Sequence, residues 1–113
     1  MKSSGTISEF FSLAISNSLQ DGWTPVSSVS PTQGHFRMMA YFTGAGGQPA
    51  DGSFADSLTT SVPGAAATLY GQSVTGKTDS GNTNNLWLRL TMPSQVANQN
   101  AQSMVLTVNG QNL

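Results

Sequence analysis

Apolar and polar residues alternate most cleanly at His35–Thr43 and Leu86–Met92. In the first stretch Phe36, Met38, Ala40 and Phe42 share one face, and Arg37, Met39, Tyr41 and Thr43 share the other. In the second, Leu86, Leu88, Leu90 and Met92 alternate with Trp87, Arg89 and Thr91. A period of two sends successive side chains to opposite faces of a sheet, so both stretches predict strands. Pro93 ends the second. Met104, Leu106 and Val108 repeat the pattern over residues 102–109, with Gly110 expected to end that strand. Between Gly44 and Gly52 the chain carries turn residues: glycines for positive φ, Pro49 for a fixed φ, and Asp51-Gly52 as a turn dipeptide. Phe54, Leu58 and Val62 then return at strand period, which makes residues 35–62 a hairpin with a long polar turn. Ala65–Thr75 alternates weakly and predicts one more strand.

The start of the chain reads two ways. Ile7, Phe10, Phe11 and Ala14 fit a helical face, whereas Phe11, Leu13 and Ile15 fit a strand. The strand is favoured because Ile, Phe and Thr are strand-prone. Residues 17–34 read as turn and edge material: Asp21-Gly22 is a turn signal, and Pro25 and Pro31 each remove a ladder donor. Residues 76–85 and 94–101 are polar connectors. Residues 55–64 are echoed by 101–110 in spacing and mostly in type; shared patterning rules account for this more simply than duplication. Six or seven short strands separated by turn signals predict an all-β fold, an antiparallel β-sandwich. A chain of 113 residues predicts one domain spanning 1–113. Residues 1–5 are expected to be a flexible or expression-derived N-terminus.

Composition narrows the function. Charged residues make up 8% of the chain, against roughly 25% in an average globular protein. Ser, Thr, Asn, Gln and Gly supply the polarity instead, a composition common among secreted, surface-displayed and phage structural β-proteins. With a formal charge of −1 and no basic run, a nucleic-acid partner is not expected. No apolar segment approaches the roughly 20 residues of a membrane helix, so no membrane insertion is expected. Met1-Lys2 leads into Ser3-Ser4-Gly5 rather than an apolar run, so no secretory signal is read here. Without cysteine there is no disulfide, and stability must come from packing and hydrogen bonds.

The inventory of reactive groups is thin. His35 is the one histidine, and no serine sits in a G-x-S-x-G elbow. A zinc site needs three or four ligands. The acids Glu9, Asp21, Asp51, Asp56 and Asp79 fall largely in turns, where Asp satisfies local backbone donors, rather than as a facing pair. The expectation is a non-enzyme without cofactor or metal. The nearest thing to a cation loop is Asp79, Asn82 and Asn84, whose alternating oxygens would suit calcium; a solvated turn is the simpler reading. Trp87 beside Arg89, with Trp23 and Tyr70, are candidate binding residues that could stack on a sugar or anchor a partner. For each, packing is the alternative, and Trp23 in particular is expected to cover one end of the core.

One segment carries a family resemblance. FRMMAYF…GQPADGSFADSLTTSV, from Phe36 to Val62, resembles the closing strands of bacterial chaperone–usher pilins: an alternating strand, a Pro/Ala/Gly connector, then Gly-aromatic-x-Asp and alternating Thr, Val and Leu. Gly52-Ser53-Phe54-Ala55-Asp56-Ser57-Leu58 fits with Ser53 inserted before the aromatic residue. In that family the segment lies near the C-terminus, whereas here Pro63–Leu113 follow it, and the family's common disulfide is absent. The resemblance implies an immunoglobulin-like sandwich and a structural subunit of a surface fibre, at the bacterial cell surface. It also implies neighbouring subunits as partners, joined by β-strand addition, with adhesion to a host receptor or carbohydrate as a further role. Phe11, Leu13 and Ile15 are then candidates for the exchanged strand, or for the domain's own first strand, which is the preferred reading. The alternative function is a carbohydrate- or receptor-binding sandwich module of an adhesin, secreted enzyme or phage tail.

Overall fold

The strand at His35–Phe42 lies at the centre of one sheet. The computed structural model describes residues 9–17, 23–28, 30–58, 70, 83–96 and 101–112. Among them the elements in order are β1 (Glu9–Asn17), β2 (Thr24–Pro25), β3 (His35–Phe42), a 3-10 turn at Asp51–Ser53, β4 (Asp56–Ser57), β5 (Leu86–Thr91) and β6 (Met104–Asn112). They form two sheets: an antiparallel pair β1–β6, and a mixed sheet in which β3 pairs with β2, β4 and β5. The all-β expectation therefore holds.

Hydrogen bonds place the neighbours of β3. The carbonyls of Gly34, Phe36 and Met38 accept from the N–H groups of Thr24, Val26 and Leu58. β2 and β4 thus share one edge of β3, and β5 takes the other, antiparallel, from Arg37↔Thr91 to Phe42↔Leu86. β2 runs parallel to β3, which corrects the expectation of a wholly antiparallel fold. The loop that follows β2 re-enters through Gly34, at φ 75°, and delivers β3 beside the start of β2. Pro25 is tolerated because the donors on this edge are Thr24 and Val26 on either side of it. Thus Pro25 stands in a short edge strand and not in a central one.

β1 and β6 join the two ends of the described chain, from Glu9↔Asn112 to Asn17↔Met104. Gly110 does not end β6. It stands opposite Phe11, and a glycine facing an aromatic ring is a favourable cross-strand pair. The core unites both sheets: Phe11, Leu13 and Ile15 of β1 meet Phe36, Met38, Ala40 and Phe42 of β3, with Trp23, Leu58 and Tyr70. The Phe11 and Phe42 rings stack at 5.6 Å. Burying a large apolar side chain stabilises by about 1.5–3 kcal/mol, so this cluster is the main source of stability among the described residues. β1 is buried on both faces, since Ser12 and Ala14 are also inside.

The β5 row departs from expectation. Leu88 and Leu90 lie opposite Ala40 and Met38, so they face the core side of the sheet. Yet Leu88 is 44%, Leu90 43% and Met92 54% exposed. Among the described strands β5 lies at the edge of its sheet, and the described elements that close over β3 do not extend over it. The inward row of β6, Met104, Leu106 and Val108, is likewise only partly buried against the core. The expected strand at Ala65–Thr75 lies outside the described residues except Tyr70, which sits in a turn at φ 55°.

Candidate functional site

A corner rich in side-chain hydrogen bonds lies on the outer face of β3 and β5, where Tyr41 stands opposite Trp87 and Met39 opposite Arg89. The loop after β3 is tied to this face. Trp87 Nε1 donates to Thr43 Oγ1 at 3.0 Å, and that hydroxyl donates to the Gly46 carbonyl at 3.0 Å. Asn85 Nδ2 donates to the same carbonyl at 3.1 Å. Arg89 donates from Nη1 to the Asp51 carbonyl at 3.3 Å, and the Phe54 ring lies 6.1 Å from Tyr41. Gly44 turns the chain at φ 63°, where a side chain would be strained. Its N–H donates to Asn84 Oδ1 at 2.8 Å.

These contacts settle where several candidate residues stand. Trp87 is half-buried and pins a loop, and Arg89 is exposed beside it. Asn84 is buried, with its side-chain oxygen committed to the Gly44 amide. It caps the turn at Gly44; Asp79 and Asn82, its companions in the candidate cation loop, lie outside the described residues. Among the described residues no three His, Asp or Glu side chains cluster as a metal site.

Trp23 and Tyr70, the other two candidate stacking groups, are both buried. Trp23 is 8% exposed, within the core. Its N–H donates to Gln102 Oε1 at 2.9 Å, which ties the entry to β2 to the entry to β6. Tyr70 is 2% exposed. Its N–H donates to Asp56 Oδ2 at 2.8 Å, and its hydroxyl donates to the Leu13 carbonyl at 3.4 Å. Burial, reinforced by the Asp56 carboxylate, raises its phenol above the usual pKa of 10.0. Sequence reading saw neither tie, because each links residues far apart in the chain. The Asn84 cap on Gly44 left no local signal for the same reason, since the two residues lie 40 apart in the chain.

His35 begins β3, with Nδ1 3.1 Å from Thr32 Oγ1. Val26, Ser28, Ser30, Thr32 and His35 line a shallow hollow of about 120 Å³. A hydroxyl beside an imidazole is two parts of a nucleophilic site, but this lining has no acid to orient the ring.

Phe11, Leu13 and Ile15 lie in the chain's own core, on β1, paired with β6. The seat of β1 is long and specific, with one β6 residue opposite each of its nine. One group in it is unsatisfied: Ser12 Oγ, buried, has no hydrogen-bond partner. Compared with protein-family models, with curated proteins and with solved structures, the chain matches none.

Proposed function

We propose that this protein is a non-catalytic structural subunit of a bacterial surface fibre, an immunoglobulin-like β-sandwich that assembles by β-strand complementation. The observation that carries this reading is the seat of β1. An N-terminal strand supplies Phe11, Leu13 and Ile15 to the core and takes β6 as its partner strand. If β1 leaves, an apolar groove opens beside β6. The same segment of a neighbouring copy would fill it with identical contacts, since main-chain bonds along an added strand give affinity and alternate side chains give register. A chain of such exchanges is a fibre, and it requires no reactive group. The carbohydrate-binding reading has less support, because Trp23 and Tyr70 are buried.

The register supplies a test. Ser16 and Val105 are opposite each other on exposed positions, and the chain has no cysteine. One preparation carries Ser16→Cys and another Val105→Cys. After unfolding and refolding together, strand exchange predicts disulfide-linked pairs of the two chains under mild oxidation. If mixed pairs do not form, while the double variant closes its own disulfide, β1 does not exchange and the fibre reading fails.

A further inference from the structure

We propose that the outer edge of β5 pairs with β5 of a second copy of this chain, antiparallel, with Leu88 opposite its own counterpart on a two-fold axis. The backbone defines the edge. Phe36 and Met38 direct their carbonyls to the β2–β4 side, so the main-chain groups of Arg37, Met39 and Tyr41 face β5. Opposite them stand Thr91, Arg89 and Trp87. The N–H and C=O groups of Leu86, Leu88 and Leu90 therefore point outward, where no described strand pairs with them. Such an edge is a template for another strand unless it is short or guarded by charge, proline or a bulge. β2 and β4, across the sheet, have two residues each, and β2 includes Pro25. β5 has six residues, one charge and no proline.

The side chains choose the partner and the register. Pairing about Leu88 sets Leu86 opposite the partner's Leu90, which extends the exposed apolar row across the axis. On the other face it sets Arg89 opposite the partner's Trp87, and a guanidinium is attracted to an indole face. Pairing about Arg89 would oppose two guanidinium groups, and like charges directly opposite repel. Pairing about Trp87 would set Leu90 against the partner's Asn84 and lose the Arg–Trp contact. A register with an odd offset would put apolar rows on opposite faces. Among these registers the edge of β5 is complementary to itself about Leu88. This contact lies on a different strand from the β1 seat and holds whether or not β1 exchanges.

Single cysteines in this cysteine-free chain report the register directly. Residues opposite each other in a hydrogen-bonded pair lie about 5.5 Å apart at Cα, within disulfide reach, and diagonal neighbours lie farther. Under mild oxidation L88C is expected to give a covalent dimer at least about tenfold faster than R89C. Sedimentation of the unmodified chain is expected to show a concentration-dependent dimer that L88K abolishes with its circular dichroism unchanged. Equal or faster cross-linking of R89C, or an unmodified chain that stays monomeric at every concentration, would overturn the pairing. Suppression of the L88C cross-link by a peptide spanning Thr6–Ser16 would assign this edge to a neighbour's N-terminal strand and overturn it equally.

Discussion

Ser12 is the least comfortable residue in the core. Its hydroxyl is buried without a partner, and such a group costs about 1–3 kcal/mol. Ser12→Ala removes that penalty and little volume, so urea unfolding should give a chain more stable by about 1 kcal/mol. Tyr70 is the opposite case, a buried residue bonded at both its amide and its phenol. Its raised pKa means that the folded chain holds the phenolic proton more tightly than the unfolded chain does. The resulting stability is intact below the unfolded value, near 10.0, and is lost as pH rises through the folded value. Tyr70→Phe should lose about 1 kcal/mol at neutral pH, yet its urea midpoint should fall less steeply above about pH 10. If the two curves fall in parallel, Tyr70 does not titrate as its burial requires. None of this was legible in the sequence, where Tyr70 is one aromatic residue in a weakly patterned stretch. Its role comes from Asp56 and Leu13, which only the folded chain brings near.

The elements were legible where the alternation was pure. β3 and β5 lie where Phe36–Phe42 and Leu86–Met92 predict them, with β5 one residue shorter, because apolar residues at every second position fit a pleated surface and little else. β6 runs past the glycine that the sequence marks as its stop; glycine usually weakens a strand, and only the Phe11 partner makes Gly110 acceptable. The exposure of Leu88 and Leu90 was also hidden. Periodicity shows which residues share a face, not whether another element covers that face. The sequence shows the pinned loop after β3 as a polar turn and leaves no trace of the hydrogen bond that Trp87 makes to Thr43 across the sheet. Trp87→Phe keeps an aromatic ring there and removes the donor. It should destabilise by about 0.5–1.5 kcal/mol, and hydrogen exchange should quicken at Gly46, whose amide bonds the Thr43 carbonyl, before it changes in β1.

At the scale of the whole molecule, the all-β class was legible from strand count and turn spacing. The mixed sheet was not, because a two-residue parallel contact leaves no periodic trace. With 8% of the chain charged, the described residues are held mainly by packing and by hydrogen bonds of which only a few involve a charged group. The chain's thermal midpoint should therefore move by no more than about 2–3 °C between low salt and half-molar sodium chloride, since screening acts on charges. A larger shift in calorimetry would point to an ionic contribution outside the described residues. The pairing of Glu9 with Asn112 also fixes how the lone chain answers mechanical tension. Glu9 and Asn112 stand at the same end of the strand pair, so a pull applied at these two residues loads the hydrogen bonds at that end first and parts them one at a time, as a zipper opens. A single copy held in optical tweezers would be soft against that pull, however well its interior resists heat.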